Sequence, residues 1–116
     1  MKRVAIPVVK GKLSEQFENC NYCEIFEIDG DNVKSNEVEV PPRDISQLPE
    51  WAGKQGITDF IVYKINKNII RLLTAKKINL FIGIKVSSPD RLIEDYMNGA
   101  LRSDEKIIEE ITAEKD

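Results

Sequence analysis

The chain has 116 residues, 41% of them hydrophobic and 32% charged, with a formal net charge of -3 and no histidine. That length suits one domain around a single core, and no apolar run approaches the ~18 residues that a membrane-spanning helix needs. The acidic balance argues against a nucleic-acid partner held through phosphates. The missing imidazole removes the usual catalytic triads, His-based zinc sites and most general-base mechanisms near neutral pH.

In chain order, Val4-Ala-Ile-Pro-Val-Val9 is a β-branched run that predicts a first strand. Pro7 inside it implies an edge position, or a place where the backbone N-H is not needed. The amino terminus enters this strand without a secretory leader pattern, so a cytoplasmic setting with reduced thiols is expected. Tyr22 to Asp29 and Val33 to Val40, joined by Gly30-Asp-Asn, predict an antiparallel hairpin with one wet face. Glu24, Glu27, Glu37 and Glu39 fall at alternating positions, as a solvated face would place them. Pro41-Pro42 stops the second strand, and residues 44 to 56 carry a short helical spacing with Pro49 near its start.

The second half alternates buried strands with amphipathic helices. Phe60 to Tyr63, a helix near Lys67 to Lys77 and Asn79 to Ile84 form a strand-helix-strand crossover with parallel strands. Ser88-Pro89 predicts an N-cap with proline at the first helical position, ahead of a stripe of Leu92, Ile93, Tyr96, Met97 and Ala100. Residues 103 to 116 form a carboxyl-terminal helix or tail, with Ile107, Ile108 and Ile111 on one side. Strands followed by βαβ units give one α/β domain with a mixed sheet. Trp51, Tyr63, Phe81 and Tyr96 are expected in the core.

Chemistry centres on two segments. Cys20 and Cys23, the only cysteines, form C-x-x-C. A closed four-thiolate zinc site needs a second such pair. Within one strand the two would lie about 10 Å apart on opposite faces, beyond the ~7 Å disulfide limit, unless the chain turns at Asn19 to Asn21. Glu18 and Glu24 flank the pair and would raise the thiol pKa. Cys23 as a core residue and Cys20 as a loop thiol is the plain alternative. The second segment is Lys64-Ile-Asn-Lys-Asn68, where a strand end meets a helix start. Free N-H groups with Lys64 and Lys67 there suit a small anion, although Asn66 is explained equally well as an N-cap.

The order of these pieces resembles the dinitrogenase iron-molybdenum cofactor biosynthesis family across residues 3 to 101. The resemblance rests on Val4-Ala-Ile-Pro-Val, Leu13-Ser-Glu-Gln-Phe17, Cys20 to Asp29, the stretch from Gly56 to Gly83, and a closing helix near Asn98-Gly-Ala-Leu101. It implies a ribonuclease H-like three-layer domain over residues 1 to 102, with a mixed, mostly parallel five-stranded sheet and flanking helices. The family often has histidine where this chain has Gln16 and glycine where it has Glu18. Its glycine-rich loops are replaced by residues 41 to 50 and by Lys64 to Asn68.

Two readings follow from the resemblance. In one, the chain is a non-enzymatic carrier of an iron-sulfur or molybdenum-iron-sulfur cluster, with protein partners in cofactor assembly. Cys20, Lys64, Asn66, Lys67 and Asn68 then bind the cofactor, and Cys20 and Cys23 are the metal ligands. Thiolates from two chains could complete one shell, which makes a homodimer its natural form. In the other, the chain is a ligand-free interaction or regulatory module that kept the fold. A thiol redox protein ranks third.

Overall fold

The computed structural model describes residues 1–113, leaving aside the side chains of residues 35–37 and 45. The strands are β1 (Lys2–Val9), β2 (Lys12–Leu13), β3 (Tyr22–Asp29), β4 (Asn32–Glu39), β5 (Asp59–Ile61) and β6 (Asn79–Phe81). The helices are α1 (Leu48–Lys54), α2 (Lys67–Ala75), α3 (Pro89–Met97) and α4 (Glu105–Ala113), with 3-10 turns at Phe17–Asn19 and Ile45–Gln47.

The main sheet order is β4-β3-β1-β5-β6, and β2 adds a short pairing to β1. The sheet therefore has six strands rather than five, because Lys10 and Gly11 turn the chain after β1 and set Leu13 opposite Val8. β1 pairs with β5 and β5 with β6 in parallel, while β3 is antiparallel to both β1 and β4. The sheet is mixed as expected, with its pairings among the five main strands divided evenly between the two senses.

Pro7 is not at an edge, since β1 lies in the middle of the sheet. Its carbonyl accepts from the Ser14 amide at 2.9 Å, whereas the neighbouring Val8 carbonyl accepts from Asn21 on the β3 side. The N and O of one strand residue point the same way, so the proline ring nitrogen faces β2 and removes no donor from the β1-β3 ladder.

Alternation along the strands fills two apolar layers. Ala5, Ile25, Phe60 and Val62 face α1, α2 and α4, where Leu48, Ala52, Ile69, Leu73 and Ile111 pack. Val4, Ile6, Val8, Phe26, Ile28 and Ile61 face α3 through Leu92 and Ile93. The sheet thus has helices on both sides. The aromatic residues set aside for the core pack against it: Trp51 on the first layer, Tyr63, Phe81 and Tyr96 on the second.

The helices start where their caps are. The Asn66 side chain accepts from the Asn68 amide, Ser88 from the Arg91 amide, and Asp104 from the Lys106 amide at 2.9 Å. α4 is docked rather than loose, with Ile111 only 3% exposed. Its start is drawn against the end of β6 by bonds from the Asp104 amide to the Ile82 carbonyl and from the Ile82 amide to Ser103. Gly83 permits that approach: its φ is +80°, and a Cβ there would lie 2.6 Å from the Asp104 Cβ. Residues 114–116 of the predicted tail lie outside the described residues.

Candidate functional site

β1 is the point at which the chain paths part, toward β3 on one side and β5 on the other. In open α/β sheets the crevice at the carboxyl ends of such strands is where ligands settle. Here it is bordered by the loop after β2, residues 14–21, and by the β5-α2 junction, residues 62–66. The Phe17 amide donates to the Lys64 carbonyl at 2.9 Å and the Lys64 amide to the Glu15 carbonyl at 3.2 Å. The two segments singled out in the sequence, 44 residues apart from Cys20 to Lys64, are therefore laced together.

Cys20 lies outside β3. It closes the 3-10 turn, its amide donating to the Phe17 carbonyl at 3.2 Å, and the chain bends at Asn21 before entering the strand. The bend removes the 10 Å separation expected for two positions of one strand. The two thiols are close enough to act on each other's ionisation, and both are free. Cys23 is fully buried, as the core reading had it; Cys20 is a loop residue, but at 8% exposure it is covered as well.

The electrostatic expectation is also corrected. The Cys23 hydrogen bond, joined by the backbone amide of Cys20 and the positive charge of Arg43, pulls the Cys20 thiol below its ordinary value, against burial and Glu18. The hydrogen bond to Cys20, then burial, then the Cys20 charge push Cys23 well up. The pair is therefore unequal: the Cys20 thiol is the more readily ionised of the two, and Cys23 the one held protonated. Glu24 takes no part; burial, then the charge of Asp90, raise its own carboxyl. Nor is the predicted acidic face uniformly solvated, because Glu27 is paired with Arg3.

At the other segment the predicted anion site is answered by the chain itself. The Glu18 carboxylate accepts from the Asn66 amide at 2.7 Å, and the Asn66 side chain accepts from Asn68 at 2.7 Å. Lys64 pairs with Glu110 of α4 at 3.6 Å. Lys67 is the first residue of α2. Asn66 thus acts as the N-cap.

Glu18 stands between two small clefts. One, about 80 Å³, is lined by Phe17, Glu18, Cys20, the Val40-Pro41-Pro42-Arg43 stretch, Leu48 and Ile69. The other, about 130 Å³, is lined by Gln16, Glu18, Lys64, Ile65, Asn66 and Ile111. A larger groove of about 720 Å³ runs between the segment after β6 and α3. Two of its cations are engaged internally, Arg91 with Asp95 and Arg102 with the Gly99 and Leu101 carbonyls, and it holds neither cysteine. The candidate site is therefore the smaller pair of clefts.

Sequence reasoning missed three contributors. Arg43 and Glu110 reach the site only through the fold, and Glu18, marked in the sequence as a charge beside the cysteines and a replacement for the family's glycine, proves to be a hydrogen-bond partner of Asn66. Asp59 was passed over too. It is 2% exposed at the opposite end of the sheet and accepts from Thr58 at 2.6 Å and Asn79 at 3.1 Å. Burial, the Asp59 charge and a hydrogen bond to Asp59 push the Tyr96 phenol up to about 12.

Among the described residues no group of three or more His, Cys, Asp or Glu side chains is placed to hold a metal ion. Two thiols supply half of a four-coordinate sulfur shell.

The fold and sequence have clear relatives. The protein PH0822 superposes with a TM-score of 0.77 at 26% identity, covering 89% of this chain and 96% of its own. MJ0327 of Methanocaldococcus jannaschii, proposed as a dinitrogenase, gives 0.66 at 27% identity, with 89% and 94% covered. The apo orange protein of Desulfovibrio gigas shares the fold, with a TM-score of 0.70 at 12% identity and 90% and 94% covered. No functionally curated protein matches the chain. The profile of the dinitrogenase iron-molybdenum cofactor family matches residues 1–99, ending before α4, and the chain belongs to that family.

Proposed function

We propose that this chain is a non-catalytic accessory carrier that holds an anionic iron-sulfur or molybdenum-iron-sulfur cluster and passes it to protein partners in cofactor assembly. One observation carries the reading: the cleft at Cys20 and the cleft at the amino terminus of α2 share Glu18 as a lining residue, at the same end of the sheet. A soft thiolate suits iron or molybdenum with sulfide, and helix amides with Lys64 and Arg43 suit negative charge. The cluster is cargo, so no bond-making chemistry is required of the chain.

Two cysteines per chain fit a site shared between two copies, which makes a homodimer the loaded form. No helix among the described residues is long and apolar enough to cross a membrane. We assign the protein to the cytoplasm and its architecture to the ribonuclease H-like class as part of the same reading.

The test is anaerobic loading with an iron-sulfur cluster or with tetrathiomolybdate, followed by metal and sulfide analysis. Stoichiometric colour in the wild type that is lost in Cys20→Ser, with the melting temperature unchanged, is the expected result. A protein that takes up nothing leaves the second reading, a module that kept the fold and works through protein contacts. The two-thiol donor set favours that alternative.

A further inference from the structure

The family profile stops at residue 99, yet α4 beyond it reaches the candidate site. Asp104 caps α4 beside Gly83, Ile111 fills the layer that holds Ile65 and Ile69, and Glu110 reaches Lys64. From the other side Glu18 extends 48 residues across the sequence to the Asn66 amide. Two acidic side chains, one from each flank, thus meet the Asn66 amide and the Lys64 ammonium of the β5-α2 junction. Glu18 also lines both clefts, the one at Cys20 and the one at Asn66.

We propose that Glu18 and α4 form a latch that keeps this crevice closed at rest, and that an anionic ligand enters by displacing the Glu18 carboxylate from the Asn66 amide. With Glu18 swung out, the clefts join into one, with Cys20 and Arg43 at one end and Lys64 and the α2 amides at the other. The latch is itself a carboxylate, so the site it covers selects negative charge. A neutral or cationic ligand would gain nothing from the exchange, since Glu18 already meets the Asn66 amide with a charge-assisted bond. Glu110 has the lesser part: its pair with Lys64 is partly exposed and worth little by itself, but it holds the lysine toward α4.

This inference rests on the carrier reading only for the identity of the cargo. Its test is therefore run with two probes, sulfate and tetrathiomolybdate, on the full chain. Amide resonances of Lys64, Asn66 and Asn68 are followed by NMR in the wild type, Glu18→Gln and Glu110→Gln. In Glu18→Gln the Asn66 amide should respond to at least one probe at concentrations roughly tenfold below those the wild type needs, the ratio expected when one charge-assisted hydrogen bond no longer competes. Glu110→Gln should show a smaller gain of the same sign. Glu18 is on the surface, so both variants should keep the wild-type spectrum elsewhere, and Glu18→Gly provides a second opening of the cleft.

Equal affinity in wild type and Glu18→Gln overturns the latch, and so does the absence of any response at Asn66 in all variants. The two proposals can fail separately. If sulfate gains at Asn66 but Cys20→Ser leaves tetrathiomolybdate uptake intact, the latch stands and the thiolate assignment falls. If uptake needs Cys20 but is indifferent to Glu18, the carrier reading stands and the latch falls.

Discussion

The two ends of the sheet handle buried polarity in opposite ways. At the amino-terminal ends of β5 and β6, Asp59 is enclosed by Thr58 just before β5, Asn79 on β6 and Tyr96 on α3. At the carboxyl-terminal end, Cys20, Glu18 and Lys64 lie on loops, with clefts between them and partners drawn from distant parts of the chain. A closed network on strands fixes a fold, whereas polar groups on loops beside cavities can exchange their partners for a ligand. That difference is why the functional assignment rests on the second end although the first has the more deeply buried carboxylate.

Substitutions can break this contrast. The largest effect is expected for Asp59→Ala, which strands the partners of a buried carboxylate and should cost about 3 kcal/mol in denaturant unfolding. Cluster loading per folded chain should be unchanged; a specific loss of loading would show that both ends serve the ligand. Next comes Cys23→Ser, which buries a hydroxyl in an apolar layer and should cost about 2 kcal/mol. If instead stability holds and loading disappears, Cys23 is a ligand in its own right.

The smallest effect concerns Tyr96. Its folded pKa of about 12 lies above the ordinary 10, so the fold prefers the neutral phenol. That contribution is complete below pH 10 and is lost as pH rises through about 12. Tyr96→Phe should flatten the decline of unfolding stability across that window, and an unaltered slope would assign the decline to other groups.

Much of the frame was legible in local sequence. The Gly30 turn and its flanking β-branched residues set the β3-β4 hairpin, and Asn66 and Ser88 mark their helix starts because capping is a contact over two or three residues. The strand-helix-strand order of the second half followed from periodicity, since burial on one face imposes it. Legibility failed where the deciding contact spans the chain. For Pro7 the pattern left two possibilities, an edge or a place where no N-H is needed, and only the fold selected the second, because a one-dimensional pattern cannot say which neighbour needs an N-H.

The same limit governs the site. Its ingredients, two cysteines at C-x-x-C spacing and lysines at a strand-to-helix junction, were determined by the sequence alone, as was the absence of any histidine to replace them. Only the tertiary structure decided that the thiols meet, that Arg43 and Glu18 rather than Glu24 are the charges acting on Cys20, and that Glu18 and Glu110 occupy the junction. Side-chain identity travels with the chain, but electric fields and hydrogen bonds act through space, and residues 48 and 46 positions apart become neighbours only when the sheet brings its loops to one end.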